Sequence, residues 1–306
     1  MAALHLAPRL TPEPTLAVVA EEWLAAIRGT IRPQTWTHYR GHLDRYWLPE
    51  LGTVPLTELT RRRVREAMSL LLTRLAPQTV AVAHSILRMV LAFAVDDELI
   101  AVNVAVGLAR RLHRPVRRRT TFDIQQLNLF LQVAERVAPR EYPLFVALAA
   151  GGLRIGEVLG LRGEDIARDV PIVYVRRNIR SGGVEGEPKT QRSRRQVRVT
   201  EGAATILRDV RVGESGWLFP GRDPRKPIGL TTIGKLTRRI AMRAGLPAMS
   251  PKSFRRSYAA ALKNAGVGVT YVSAQLGHAS IETTEQFYID GTPPPPCPEL
   301  LIGRRR

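Results

Sequence analysis

Cysteine is almost absent: Cys297, in a proline-rich tail, is the only one in 306 residues. A lone thiol excludes a disulfide framework and any cysteine-based zinc site, and a reducing cytoplasm is the expected compartment. Long apolar runs are also lacking. No uninterrupted stretch of about eighteen apolar residues occurs, and Met1 to Leu10 is short and broken by His5, Pro8 and Arg9. Neither a membrane span nor a signal peptide is expected. Acidic residues are scarce, with 27 Asp plus Glu against 46 Lys plus Arg, which leaves a net charge of +19 and a pI near 11.2. Such a surface calls for a polyanionic partner, and nucleic acid is the one expected. Charge of this kind favours sequence-independent binding and identifies the partner, not the reaction.

The length fits about two domains, and 44% hydrophobic residues supply ordinary cores. Residues 1–14 read as an N-terminal tail. Over residues 15–108 the apolar period is helical: Leu16, Val19, Trp23, Leu24 and Ile27 share one face, as do Val64, Met68, Leu71 and Leu72, and then Ile86, Leu87, Val90 and Phe93. A further helix is expected to start at Pro33 and end before Pro49 and Gly52. Trp23, Trp47 and Phe93 are expected in the core. Arg32, Arg40, Arg61, Arg62, Arg63 and Arg65 are left free to face DNA. Residues 109–121 form a basic linker in which Arg114, Arg117 and Arg118 are expected along phosphates.

Residues 122–290 open with a helix capped by Asp123. The stretches Pro171 to Arg180 and Arg194 to Val199 alternate like strands, so a small antiparallel sheet is expected within a mainly α-helical, α+β domain. Helices follow over Gly202 to Val210, Thr231 to Ala244, Ser253 to Asn264, Val267 to Leu276 and Ile281 to Tyr288. Residues 291–306 form a tail.

Five side chains in this second domain make a chemical set. Arg154 lies in Gly151-Gly152-Leu153-Arg154-Ile155-Gly156-Glu157, Lys189 in Pro188-Lys189-Thr190, Arg255 in Lys252-Ser253-Phe254-Arg255, His278 in Leu276-Gly277-His278, and Tyr288 follows. Fixed cations, a histidine and a hydroxyl nucleophile suit attack on a phosphodiester, where charge develops on the non-bridging oxygens and the cations stabilise it without a metal or other cofactor. Arg154 alone could equally pair with Glu157. Lys189 alone could be a solvated hairpin charge beside Arg192, Arg194 and Arg195.

Leu153 to Leu161 with Asp165-Ile166, Pro188-Lys189-Thr190, Ser250 to Ala259, and Leu276 to Thr284 with Tyr288 together resemble the signature boxes of the tyrosine recombinases, or phage integrases. The first hundred residues resemble that family's helical core-binding domain. The resemblance implies a site-specific recombinase that cleaves and rejoins DNA through a 3′-phosphotyrosine made by Tyr288. Arg154 and Arg255 would grip the scissile phosphate, Lys189 would protonate the leaving 5′-oxygen, and His278 would bond the phosphate or the tyrosine. Arg192 and Arg194 would meet DNA beside Lys189. It also implies a chain that is monomeric when free and tetrameric on DNA. Lys252 stands where the family usually has histidine; it can donate to a phosphate oxygen but is a poor base at neutral pH. Two alternatives share these residues: a DNA-relaxing enzyme like the type IB topoisomerases, and a DNA-binding regulator with weakened catalysis.

Overall fold

The computed structural model describes residues 13–108, 121–180, 182–186 and 194–277. The chain divides into two compact units, Met1–Arg117 and Arg118–Arg306, each with its own hydrophobic core.

The first unit contains α1 (Leu16–Ala26), α2 (Pro33–His42), α3 (Leu48–Leu51), α4 (Arg61–Arg74) and α5 (Pro77–Asp96). Proline at the first turn of α2 and of α5 costs nothing, because that N–H has no intrahelical acceptor. Thr60 caps α4 by accepting from the Arg63 N–H. α5 is long and apolar enough to cross a membrane by length and composition; half of its most apolar window is buried in the unit, where Val80, Ile86, Leu87, Val90 and Leu91 form the centre of the core. Trp23 and Trp47 are buried, Phe93 packs at the edge, and the Trp47 Nε1–H donates to the Ala83 carbonyl. The helix from Pro33 does not stop before Pro49. It passes through a π-helical segment, Leu43–Trp47, into α3. Pro49 enters at the first turn of α3, where a missing N–H is best tolerated.

The second unit contains α6 (Ile124–Val137), α7 (Tyr142–Gly151), α8 (Ile155–Leu159), β1 (Ile172–Val175), β2 (Asn178–Ile179), β3 (Glu185–Gly186), β4 (Arg195–Arg198), α9 (Glu201–Arg208), α10 (Leu230–Arg243), α11 (Pro251–Asn264) and α12 (Val269–Leu276). Asp123 and Gln126 form a reciprocal capping box at the start of α6. α7 is buried from Leu144 to Gly151 and packs against α6, α9 and α11, so every face of it is apolar. Phe130, Phe145 and Phe254 lock α6, α7 and α11 edge to face.

The strand expected over Pro171 to Arg180 is divided. β1 pairs antiparallel with β4, and β2 pairs antiparallel with β3. The division falls at Arg176 and Arg177, which both reach the buried carboxylate of Asp165, at 3.1 and 2.6 Å. Neighbours on a regular strand point to opposite faces, so two consecutive side chains share one carboxylate only where the extended backbone breaks.

Candidate active site

The site begins where α7 ends. Gly152 takes a left-handed conformation, φ 58°, and a Cβ there would lie 2.4 Å from the Tyr258 ring. Only glycine turns the chain in that space. Leu153 then re-enters the core, and Arg154 becomes the residue preceding α8, with its backbone N–H donating to the Glu157 carboxylate at 2.8 Å. The Arg154 side chain folds over the same carboxylate, Nη1 to Oε1 2.7 Å, while Nη2 donates to the Gly277 carbonyl at 2.8 Å.

Arg255, on α11, approaches from the other side. Its Nη1 donates to the Gly152 carbonyl at 3.0 Å and its Nη2 to the Leu276 carbonyl at 2.5 Å. Arg154 Nη1 reaches that Leu276 carbonyl too, at 3.4 Å. Two guanidiniums separated by a hundred residues of sequence thus meet at the C-terminal end of α12, where unpaired carbonyls and the negative end of the helix dipole hold them. Burial, then the nearby charges of Arg154 and Arg195, push Arg255 down to about 9, against the opposing pull of Glu157. It still carries its charge at neutral pH.

Glu157 is the counter-ion of this cluster. Burial pushes its carboxyl up, but hydrogen bonds and charge from Arg195 and hydrogen bonds from Arg154 outweigh burial and hold it below the ordinary value of 4.5. Arg195 forms a fork with it, Nη1 to Oε1 3.1 Å and Nη2 to Oε2 2.9 Å, and donates from Nε to the Gln275 carbonyl at 2.9 Å. The Arg154 side chain is 40% exposed and Arg195 only 8%, so Arg154 is placed to present a face outward and Arg195 is not.

Arg195 and Gln275 are the residues that sequence reasoning passed over. A signal for Arg195 existed: in the alternation of β4 it falls on the side of Val197 and Val199, both buried, whereas Arg194 and Gln196 are exposed. An inward arginine requires a buried carboxylate. Gln275 ties the same elements together by donating to the Arg198 carbonyl and the Tyr258 hydroxyl.

Lys252 sits exposed on the first turn of α11, one turn before Arg255. Arg194 is exposed beside β4, next to a groove of about 800 Å³ lined by Tyr174, Arg176, Arg177 and Glu185. In the first unit four of the six arginines expected to face DNA, Arg40, Arg61, Arg62 and Arg63, already have partners, Arg63 bridging Glu58 at 3.3 Å. Arg40 bridges Glu21 at 2.5 Å and Asp44 at 3.3 Å, Arg61 donates to the Val106 carbonyl, and Arg62 pairs with Glu66 at 2.9 Å. These are solvent-facing contacts of little strength, because water competes for both partners. Lys189, Arg192, His278 and Tyr288, the linker residues Arg114, Arg117 and Arg118, and the helix expected over Ile281 to Tyr288 lie outside the described residues.

Residues 120–293 match the model of the phage integrase family, and residues 16–111 match that of the phage integrase central domain. The chain belongs to the phage integrase family. It is 29% identical to a tyrosine recombinase XerC of Erythrobacter litoralis over 70% of this chain and 69% of that protein. It is 26% identical to a tyrosine recombinase XerD of Corynebacterium glutamicum over 88% and 92%. In fold it is similar to the Tn1549 transposon integrase in complex with a circular intermediate DNA, with a TM-score of 0.76, 20% identity, and 87% and 92% of the two chains covered. A lambda integrase dimer bound to a core site gives a TM-score of 0.69 at 17% identity, with coverage of 90% and 99%. As a member of this tyrosine recombinase family the protein is an enzyme of site-specific DNA recombination, and the DNA-relaxing and regulatory alternatives are not favoured.

Proposed function

We propose that Arg154 and Arg255 grip one scissile phosphate of duplex DNA while Tyr288 attacks its phosphorus. The observation that supports this is the meeting of both guanidiniums at the Leu276 and Gly277 carbonyls, immediately before His278. Carbonyl oxygens are weak acceptors for guanidinium; a phosphate accepts two charge-assisted bonds from each fork and relieves the repulsion between the two cations. The carbonyl contacts of the two arginines are thus ones that an anion readily displaces, while Arg154 keeps its bond to Glu157.

In the chemical step the phenolic oxygen bonds to phosphorus, the bond to the 5′-oxygen breaks, and the strand remains as a 3′-phosphotyrosine. The phenol loses its proton and the 5′-oxygen gains one, for which Lys189 is the donor. His278 and Lys252 donate to the phosphate oxygens or to the tyrosine. The phosphoester bond is exchanged rather than hydrolysed, so a second 5′-hydroxyl can reseal the strand without ATP. Residues 15–108 act as the core-binding domain, 109–121 as the linker and 122–290 as the catalytic domain. Arg40, Arg61, Arg62, Arg114, Arg117, Arg118, Arg192 and Arg194 contribute phosphate contacts. Exchange between two duplexes needs four such sites, so the chain, monomeric when free, works as a tetramer on DNA; a lambda integrase tetramer bound to a Holliday junction has a similar fold.

Denaturant quenching of the protein on its DNA is expected to leave a covalent adduct with wild type and none with Tyr288→Phe. Equal trapping by the two proteins would overturn the assignment.

A further inference from the structure

We infer that Arg195 is a positioning residue for strand cleavage, holding β4, α8 and the C-terminal end of α12 in one register so that the Arg154 guanidinium is presented to the phosphate in a fixed place. The inference rests on the assignment of Arg154 and Tyr288 above.

The bonds form a closed ring. Arg195 grips Glu157 on α8 with both terminal nitrogens and the Gln275 carbonyl on α12 with Nε. Glu157 in turn receives the backbone N–H and Nη1 of Arg154. Arg154 closes the ring on the Gly277 carbonyl. When a phosphate draws the Arg154 guanidinium off the α12 carbonyls, this last link opens. The remaining fork from Arg195 then keeps α8 and α12 in register. Gly277 fits the same design: its φ is 62°, and a Cβ would stand 3.0–3.1 Å from Nη1, Cδ and Cζ of Arg195. α12 thus ends tightly against a pinned guanidinium, two residues after the carbonyl that the guanidinium holds.

The Arg195 side chain is only 8% exposed, and among the described residues its donors are engaged by the Glu157 carboxylate and the Gln275 carbonyl. It is therefore assigned to geometry and to the charge state of Glu157, not to contact with the reacting atoms. Among the described residues the charged groups around Glu157 are Arg154 ahead of α8, Arg195 on β4 and Arg255 on α11.

The test is single-turnover adduct formation by full-length protein, with DNA binding measured in parallel. Arg195→Gln is expected to bind DNA within about threefold of wild type and to form the Tyr288 adduct about 10–100-fold more slowly, since misplacement of about an ångström costs that much. The variant also frees Glu157 from its strongest opposing partner, so burial raises that carboxyl. Adduct formation is then expected to fall further as the solution is acidified, in an acid limb that wild type lacks and that Glu157→Gln/Arg195→Gln loses. Arg195→Lys keeps the charge without the fork and serves should the glutamine variant fail to fold; it is expected to be slowed by an intermediate factor. Cleavage by the folded variant within twofold of wild type, or loss of binding and cleavage in proportion with no acid limb, overturns the inference. Absence of any Tyr288-dependent adduct in wild type would instead remove the active-site assignment on which it rests.

Discussion

At Glu157 two large effects oppose each other. The side chain is 4% exposed, which by itself favours the neutral acid, yet Arg195 and Arg154 supply hydrogen bonds and positive charge that keep it ionised. Removing that single negative charge leaves Arg195 buried without its counter-ion. Glu157→Gln is therefore expected to lose about 3–5 kcal/mol at neutral pH, read as a lower urea midpoint at unchanged slope. The sign of the pH dependence follows from the lowered acid constant. A carboxyl held below 4.5 contributes stability that is fully present above that value and is lost as pH falls through the folded-state value. The wild-type and Glu157→Gln curves should accordingly converge as the solution is acidified below pH 4.5; a gap of unchanged size in acid would show that the carboxylate is not the stabilising group.

Elements meet at this site through one turn. Gly152 ends α7, its carbonyl accepts from Arg255 on α11, and the space a Cβ would need is filled by Tyr258 on the same helix. Gly152→Ala must both hold a left-handed conformation and displace a fully buried ring. It is expected to cost about 2–4 kcal/mol in chemical denaturation, with cleavage reduced further because Arg255 moves with the turn. The existence of these helices was legible from apolar period and capping residues: Asp123 marks the start of α6, and the helix expected over Ser253 to Asn264 is α11, which starts two residues earlier at Pro251. The broken strand was not. Its alternation from Ile172 is regular, and the break at Arg176 and Arg177 comes from Asp165, which is brought beside it only in the folded unit.

For the whole molecule the governing quantity is the net charge of +19. Binding to DNA is expected to weaken steeply with salt, each neutralised phosphate adding about 0.9 to the slope of log affinity against log salt. Arg62 is 84% exposed and pairs with Glu66. Arg62→Gln should lower affinity by a similar factor on all sequences and reduce the salt slope by about one, with covalent trapping on saturated DNA unchanged. A loss confined to one sequence, or an unaltered slope, would place Arg62 off the phosphate backbone.

Two facts about this protein are local and were therefore carried by the sequence: the succession of helices, which follows from period and caps, and the set of cations, histidine and tyrosine in separated boxes that marks a tyrosine recombinase. Which charges serve chemistry and which hold the frame is not local. Arg192, Arg194 and Arg195 look alike in the chain, yet strand alternation turns Arg195 inward, and the carboxylate that makes its burial tolerable lies 38 residues away on α8. Only folding brings the two together, because the free energy of a buried charge depends on the partner it finds in space and not on its neighbours in sequence.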